Sequence, residues 1–261
     1  MRVTKRLPSL SNVAAGSTAV LNLPLGRTYE NLKLEYSGIT LAQMKNIQLK
    51  ANGKTFQKFK DGNEIDAINK YYGRQAANGL LTLWFVQPEM KTARDERITA
   101  LGTADLKTLT LEFDVDAAAA NPQVKAHALQ SEASPFGLCT KILRFPVNSA
   151  VTGVQEIDNL PTGSARIKAI HLFKPDVSKV ELELNGFLAY EAEKRLSEQN
   201  QKDYGRIPQS AAATHLDFVL EGDMSQAVVT QGVQDFRLRQ TLATAGATNI
   251  VVEYYDGLAG I

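Results

Sequence analysis

Lys70-Tyr71-Tyr72-Gly73-Arg74 returns further along the chain as Lys202-Asp203-Tyr204-Gly205-Arg206. Outward from this pair, Asn52-Gly53 returns as Asn185-Gly186, and Leu83-Trp84-Phe85-Val86 returns as Leu216-Asp217-Phe218-Val219. Asn22-Leu23-Pro24-Leu25-Gly26 returns as Asn159-Leu160-Pro161-Thr162-Gly163, and Leu111-Glu112-Phe113 resembles Val252-Glu253-Tyr254. Each match is weak by itself. Five in one order, at offsets of 132 to 141 residues, define a repeat of about half the 261-residue chain. A unit of that length is a domain rather than one turn of a solenoid. Ser, Pro and Gly cluster between Ser131 and Gly137, where no periodicity persists. The chain therefore reads as two copies of one domain, residues 1–136 and 137–261.

Period-two alternation dominates both copies, and it places one face of each strand on an apolar core. Leu32, Leu34 and Tyr36 alternate with Lys33 and Glu35; Leu109, Leu111, Phe113 and Val115 alternate with polar neighbours. Val180, Leu182 and Leu184, then Phe236 and Leu238, repeat the pattern. Asn52-Gly53 is a two-residue hairpin signal, because both residues tolerate positive φ; it predicts Leu49 opposite Phe56. Asp61 caps a short helix with Glu64 three residues on, Ile65 and Ile68 facing inward and Gly73 ending it. After Asn185-Gly186 the spacing of Leu188, Ala192 and Leu196, with Glu191 and Arg195 in pairing distance, predicts a helix directly. The fold class is all-β: two tandem sandwiches with short helical insertions, compatible with jelly-roll winding or another Greek-key order. Two polar loops, Gln87–Leu106 and Asp223–Gln234, occupy equivalent positions and are the places for contacts that differ between copies.

The composition excludes several function classes. Lys and Arg number 29 against 28 Asp and Glu, so the net charge of +1 offers no basic face for sequence-specific nucleic-acid binding. The basic residues Arg2, Lys5, Arg6 and Arg27 precede the first acid, Glu30, and read as a solvated or neighbour-clasping terminus or as an arm for lipid headgroups or nucleic acid. No apolar run approaches a membrane span and no secretory signal opens the chain, which reads as a soluble protein made inside the cell. The single cysteine, Cys139, makes no internal disulfide and reads as a small core residue. His127, His171 and His215 lack zinc-ligand spacing, and the two later ones fall in alternating strands. Gly53-Lys54-Thr55 imitates the end of a phosphate loop, but Gln48 stands where the leading glycine belongs. No nucleophile elbow or dinucleotide fingerprint occurs. Asp114 with Asp116, and Glu221 with Asp223, share strand faces at i, i+2 and are the candidate oxygen ligands for calcium. No catalytic residue and no cofactor cradle emerges, so the chain reads as a binding or building protein and not an enzyme.

Further stretches carry a family likeness: Asn12-Val13-Ala14-Ala15-Gly16, Thr28-Tyr29-Glu30, Tyr36-Ser37-Gly38, Pro88-Glu89-Met90-Lys91, Ala100-Leu101-Gly102-Thr103 and Phe113-Asp114. The second copy adds Arg166-Ile167, Ala169-Ile170-His171, Leu220-Glu221-Gly222-Asp223, Gln234-Asp235 and Arg237-Leu238. In this order they resemble the major capsid protein of corticoviruses, the membrane-containing icosahedral bacteriophages. The resemblance implies a double jelly roll, a homotrimer forming a pseudo-hexagonal capsomer, and a shell of capsomers over an internal membrane. It implies a place in the virion after synthesis in the host cytoplasm, with neighbouring capsomers and vertex and membrane-associated proteins as partners. It also implies calcium at subunit interfaces, with no ligand assigned. The alternative from another class is a tandem β-sandwich carbohydrate-binding module. Against it, the only tryptophan, Trp84, lies in an apolar strand where it reads as core.

Overall fold

The computed structural model describes residues 1–261. The first half contains β1 (Val3–Arg6), β2 (Thr18–Asn22), β3 (Thr28–Ser37), β4 (Met44–Ala51), β5 (Lys54–Asp61), α1 (Gly62–Tyr71), β6 (Leu80–Trp84), α2 (Ala93–Arg97), β7 (Leu109–Val115) and β8 (Gln123–Ser131). The second contains β9 (Cys139–Ser149), β10 (Gly153–Ile157), β11 (Arg166–Phe173), β12 (Val177–Leu184), β13 (Phe187–Glu193), α3 (Lys194–Asp203), β14 (Thr214–Asp217), β15 (Val228–Val229), β16 (Phe236–Leu242) and β17 (Gly246–Asp256).

Two four-stranded sheets stand at the outside, in the orders β1-β8-β3-β6 and β10-β16-β12-β13. Between them runs one nine-stranded sheet, β14-β11-β17-β9-β5-β4-β7-β2, with β15 added beside β11. Its middle is a fusion. The stretch β5-β4-β7-β2 completes the first sandwich, β14-β11-β17-β9 completes the second, and β5 meets β9 in a parallel bridge, Gln57 to Ile142. Both halves thus wind strands in one order, the jelly-roll order. Most of the alternating positions fill the interiors: Leu32, Leu34, Leu109, Leu111, Phe113, Val180, Leu182 and Leu238 are buried, while Tyr36 and Leu184, near strand ends, are half-buried.

Three local expectations change. Residues Phe187–Glu193 form strand β13, and the helix starts at Lys194. The reason is turn chemistry: Asn185 and Gly186 both take positive φ (49° and 79°), so the chain folds straight back on β12 as Asn52 and Gly53 do in the first half. Leu188 and Leu196 are consequently exposed, and Glu191 pairs with Lys179 on the neighbouring strand rather than Arg195. In the first hairpin Leu49 faces Gln57, because a bulge leaves Phe56 as the extra residue. Finally, β7 occupies the place of β16, so Leu111-Glu112-Phe113 and Val252-Glu253-Tyr254 lie on non-equivalent strands. Their likeness is only shared alternation.

The helix read from Asp61 is α1, and Asp61 accepts from the Glu64 N–H at 3.2 Å. α1 and α3 occupy matching positions. Asn69 on α1 donates to the Thr82 carbonyl (2.7 Å), and Gln201 on α3 donates to the His215 carbonyl (2.7 Å). Each amide pins its helix to the next strand of its own sandwich.

Candidate functional site

The repeated Lys-x-Tyr-Gly-Arg motif ends each helix. Gly73 and Gly205 take φ of +70° and +79°, the left-handed cap that turns the chain so the following arginine points back inward. In the first half this places Tyr71, Tyr72 and Arg74 against the second half's sheet. There they meet a cluster of buried charge.

Lys168 stands in the bulge of β11 with no solvent exposure. Its Nζ lies 3.2 Å from Glu89 Oε1, 3.1 Å from Glu253 Oε2 and 4.0 Å from the centre of the Tyr72 ring. Arg74 grips the same Glu89 through Nη2 (2.8 Å to Oε1) and Nε (3.2 Å to Oε2). Tyr72 Oη donates to Glu253 Oε1 at 2.9 Å. The second motif's arginine, Arg206, pairs with Asp217 at 2.8 Å, and Tyr71 Oη donates to that carboxylate at 3.3 Å. Burial alone would raise both glutamates; the Arg74 and Lys168 charges beside Glu89, and the Lys168 charge with the His171 hydrogen bond at Glu253, hold both below the ordinary range.

His171 and His215 are register partners on β11 and β14, and their Nδ1 atoms approach to 2.8 Å. His215 Nε2 receives the Gln209 N–H at 3.3 Å, so its proton sits on Nδ1 and points at His171. His171 Nε2 then donates to Glu253 Oε1 at 2.8 Å. Tyr71 stacks on His215 with centroids 4.1 Å apart. Burial pushes the His215 pKa well below its ordinary value. The chain runs amide, imidazole, imidazole, carboxylate, with one proton per link.

This arrangement is built to hold rather than to react. On its inner side lies a cavity of about 30 Å³ lined by Gln57, Trp84, Lys168 and Glu253 among others, room for one water, and on its outer side an open groove of about 440 Å³ borders Tyr72, Arg74 and Glu89. It crosses the junction at Lys168–Glu89, Tyr72–Glu253 and Tyr71–Asp217, and Gln57 Nε2 adds a bond to the Thr140 carbonyl at 2.8 Å. Sequence reasoning placed His171 and His215 in strands but missed their partnership, along with Lys168, Glu89, Glu253 and Asp217. The available signal was charge inside an apolar run, Ile167-Lys168-Ala169-Ile170-His171, on a strand covered on both faces.

The other sequence candidates lie elsewhere. Asp114 accepts from Thr18 Oγ1 (2.7 Å) and Asn46 Nδ2 (2.8 Å), and Asp116 pairs with Lys45. Glu221 accepts from Gln226, and Asp223 caps a helical turn through the Ser225 N–H. Calcium takes six to eight oxygens, and no three His, Cys, Asp or Glu residues gather where they could hold a metal, so one chain's donor set does not fit that ion. His127 reaches Glu35 at 3.4 Å on the outer sheet. Trp84 is half-buried with the Arg74 guanidinium 5.7 Å over its ring, and Cys139 is buried, which pushes its thiol up to about 12. Arg2 pairs with Glu30 at 2.9 Å, whereas Lys5, Arg6 and Arg27 are exposed. The two polar loops meet across the junction, where Gln87 Nε2 lies 3.8 Å from Met224 Sδ; beside that contact the Lys91 N–H donates to the Gly222 carbonyl and Tyr255 Oη to Gln87.

Two fused jelly rolls with a charge-linked seam define a double jelly-roll protein. Family models for the "Viral coat protein P2 N-terminal domain" and "Viral coat protein P2 C-terminal domain" match residues 4–132 and 139–258. Major capsid protein P2 of Pseudoalteromonas phage PM2 is 34% identical over 262 residues, covering 97% of each chain. The crystal structure of P2 from bacteriophage PM2 superimposes with a TM-score of 0.91 at 32% identity, covering 98% of both chains. The STIV MCP crystal structure gives 0.74 at 12% identity over 98% of this chain and 96% of that one. The PBCV-1 virus capsid gives 0.70 at 12% identity, covering 98% and 93%; these two establish the fold alone. The chain belongs to the viral coat protein P2 family. It is a structural protein of the virion, a major capsid protein, and a carbohydrate-binding role has no support.

Proposed function

We propose that three copies of this chain stand side by side as a pseudo-hexagonal capsomer, and that such capsomers tile an icosahedral shell over an internal membrane. The observation that carries this is the fused sheet. A trimer has threefold symmetry, whereas hexagonal tiling needs six similar wedges, and two sandwiches of identical winding per chain supply six. The two units divide, in this reading, at residues 136 and 137. Vertex and membrane-associated virion proteins are the further partners. The basic N-terminus would face lipid headgroups or a neighbouring subunit, and its placement in the sheet-edge strand β1 favours the neighbour.

Light scattering on the purified protein tests the trimer: the expected mass is three times the 28.5 kDa chain, and a persistent monomer at high concentration would overturn it. Deleting the first ten residues is a poor test of the arm, since it also removes β1 and the buried Leu7. Replacing Lys5 and Arg6 with alanine keeps the strand. The expected result is a folded chain that assembles poorly and binds anionic vesicles no differently.

A further inference from the structure

Matching bulges superimpose the two halves residue by residue. β3 bulges against β8 between Tyr29 and Asn31, and β11 bulges against β17 between Ile167 and Ala169. From there Tyr29 faces Gln130, which faces Val3; in the second half Ile167 faces Tyr254, which faces Lys141. Val3 therefore corresponds to Lys141, Thr4 to Ile142 and Arg6 to Arg144. The hairpins slip between Leu49 and Lys50 and between Leu182 and Glu183, so that Gln57 corresponds to Tyr190.

Inside the chain, Gln57 and Ile142 form the parallel bridge that joins β5 to β9. Their counterparts, Tyr190 on β13 and Thr4 on β1, lie on sheet-edge strands whose outer sides have no partner in this chain. We propose that β1 of one copy lies parallel to β13 of the next, with Thr4 opposite Tyr190, so that the internal seam is repeated between subunits. This rests on the trimeric reading and names the surfaces that close the ring.

The open edge has the character of a contact waiting for cover. Phe187 is 72% exposed, and Leu188 beside it and Leu196 on the adjoining α3 are exposed as well. An exposed apolar edge strand pairs promiscuously unless something covers it. The charges are complementary. β13 carries Glu191 and Glu193 and no base, whereas β1 carries Lys5 and Arg6 and no acid. Arg144, the counterpart of Arg6, lies 3.6 Å from Glu64 in the first turn of α1. On the matching α3 the position of Glu64 is taken by Leu196, and the nearest acid at the helix start is the N-cap residue Glu193, one turn earlier, which is the charge offered to Arg6 of the neighbouring copy. A heterologous contact of this kind closes on itself when three chains supply six halves.

Cross-linking in the full chain tests the register. Partners across a sheet lie about 5 Å apart at Cα, within disulfide range. Cys139 is the only native cysteine and is buried, so it stays silent. Thr4→Cys combined with Tyr190→Cys should give, on mild oxidation, covalent species of two and three chains on a non-reducing gel, and neither single variant should. Because Tyr190 packs on Phe218 and bonds Ser197, a second pair leaves the core alone: Arg6→Glu and Glu193→Arg. Each alone should weaken trimers roughly tenfold, and together they should recover most of that loss. A trimer that neither cross-links nor responds to the charge reversals would overturn this interface and leave the trimeric reading standing. A native chain that stays monomeric would overturn both.

Discussion

Lys168 is wholly buried, and its place in the core depends on Glu89, Glu253 and the Tyr72 ring together. Removing one partner of a buried ion pair strands the others, at a cost of about 3–5 kcal/mol. Lys168→Met should therefore lower the urea unfolding free energy by about that amount, with the two glutamates left facing each other. A loss under ~1 kcal/mol would mean that water already screens the site. Glu64 tests the same physics with opposite sign. Burial drives its pKa up to about 7, against a bond from the Lys60 N–H and the nearby Arg144. Since the folded value exceeds the ordinary one near 4.5, the folded chain binds a proton that the unfolded chain releases in that interval. Its contribution is present below pH 4.5 and is lost as pH rises through 7, amounting to about 3 kcal/mol. Glu64→Gln cannot ionise. Its stability relative to the native chain should rise between pH 5 and pH 8, read from paired thermal melts, and a constant difference would refute the assignment.

The turns show how an element is fixed by one residue. Asn52 and Asn185 both take positive φ, and both spend the side-chain oxygen on the chain entering the neighbouring strand of the same sheet, β7 and β16 respectively. Asn52 Oδ1 accepts from the N–H groups of Lys107 (2.7 Å) and Thr108 (3.2 Å), and Asn185 Oδ1 accepts from Gln234 (2.9 Å) and Asp235 (3.0 Å). An alanine at either position forfeits two hydrogen bonds and pays for a left-handed backbone. Asn52→Ala and Asn185→Ala should each cost about 2–3 kcal/mol, measured by chemical denaturation. A loss below 1 kcal/mol at either would show that the turn is held by its strands instead. These asparagines also mark what could be read in the sequence. The Asn-Gly pair, the alternating strands and the Asp61 cap are local signals, and local chemistry decides them. The helix expected at Leu188 failed because a spacing of four fits a helix stripe and one face of a strand equally well, and the preceding turn chose the strand. The seam was invisible for a different reason. Lys168, Glu89 and Glu253 acquire meaning only when strands far apart in sequence become neighbours, and no pairwise spacing encodes that.

At the scale of the molecule the halves are unequal partners. One core of 35 buried residues fills the first sandwich and also takes in Cys139, Ile142 and Val251 from the second, whose own core has 15. The second half instead invests in the seam: β11 and β17 present Lys168, His171 and Glu253 to α1 and the loop carrying Glu89. Alone, residues 137–261 would expose that charged face together with the edge of β9, while the first half would expose mainly Tyr71, Tyr72 and the edge of β5. Burial of apolar surface is the main favourable term in folding, so the half with the larger core should stand better by itself. Expressed separately, residues 1–136 should melt cooperatively, and residues 137–261 should show strand-type circular dichroism without a sharp transition. Mixing the two should restore a cooperative melt of the second half, because Tyr71, Tyr72, Arg74 and Glu89 return as partners for its buried charge. Independent, equally sharp melts of both halves, unchanged on mixing, would mean that the seam contributes nothing to folding. Lys168 and its neighbours would then be a passive by-product of fusing two sheets.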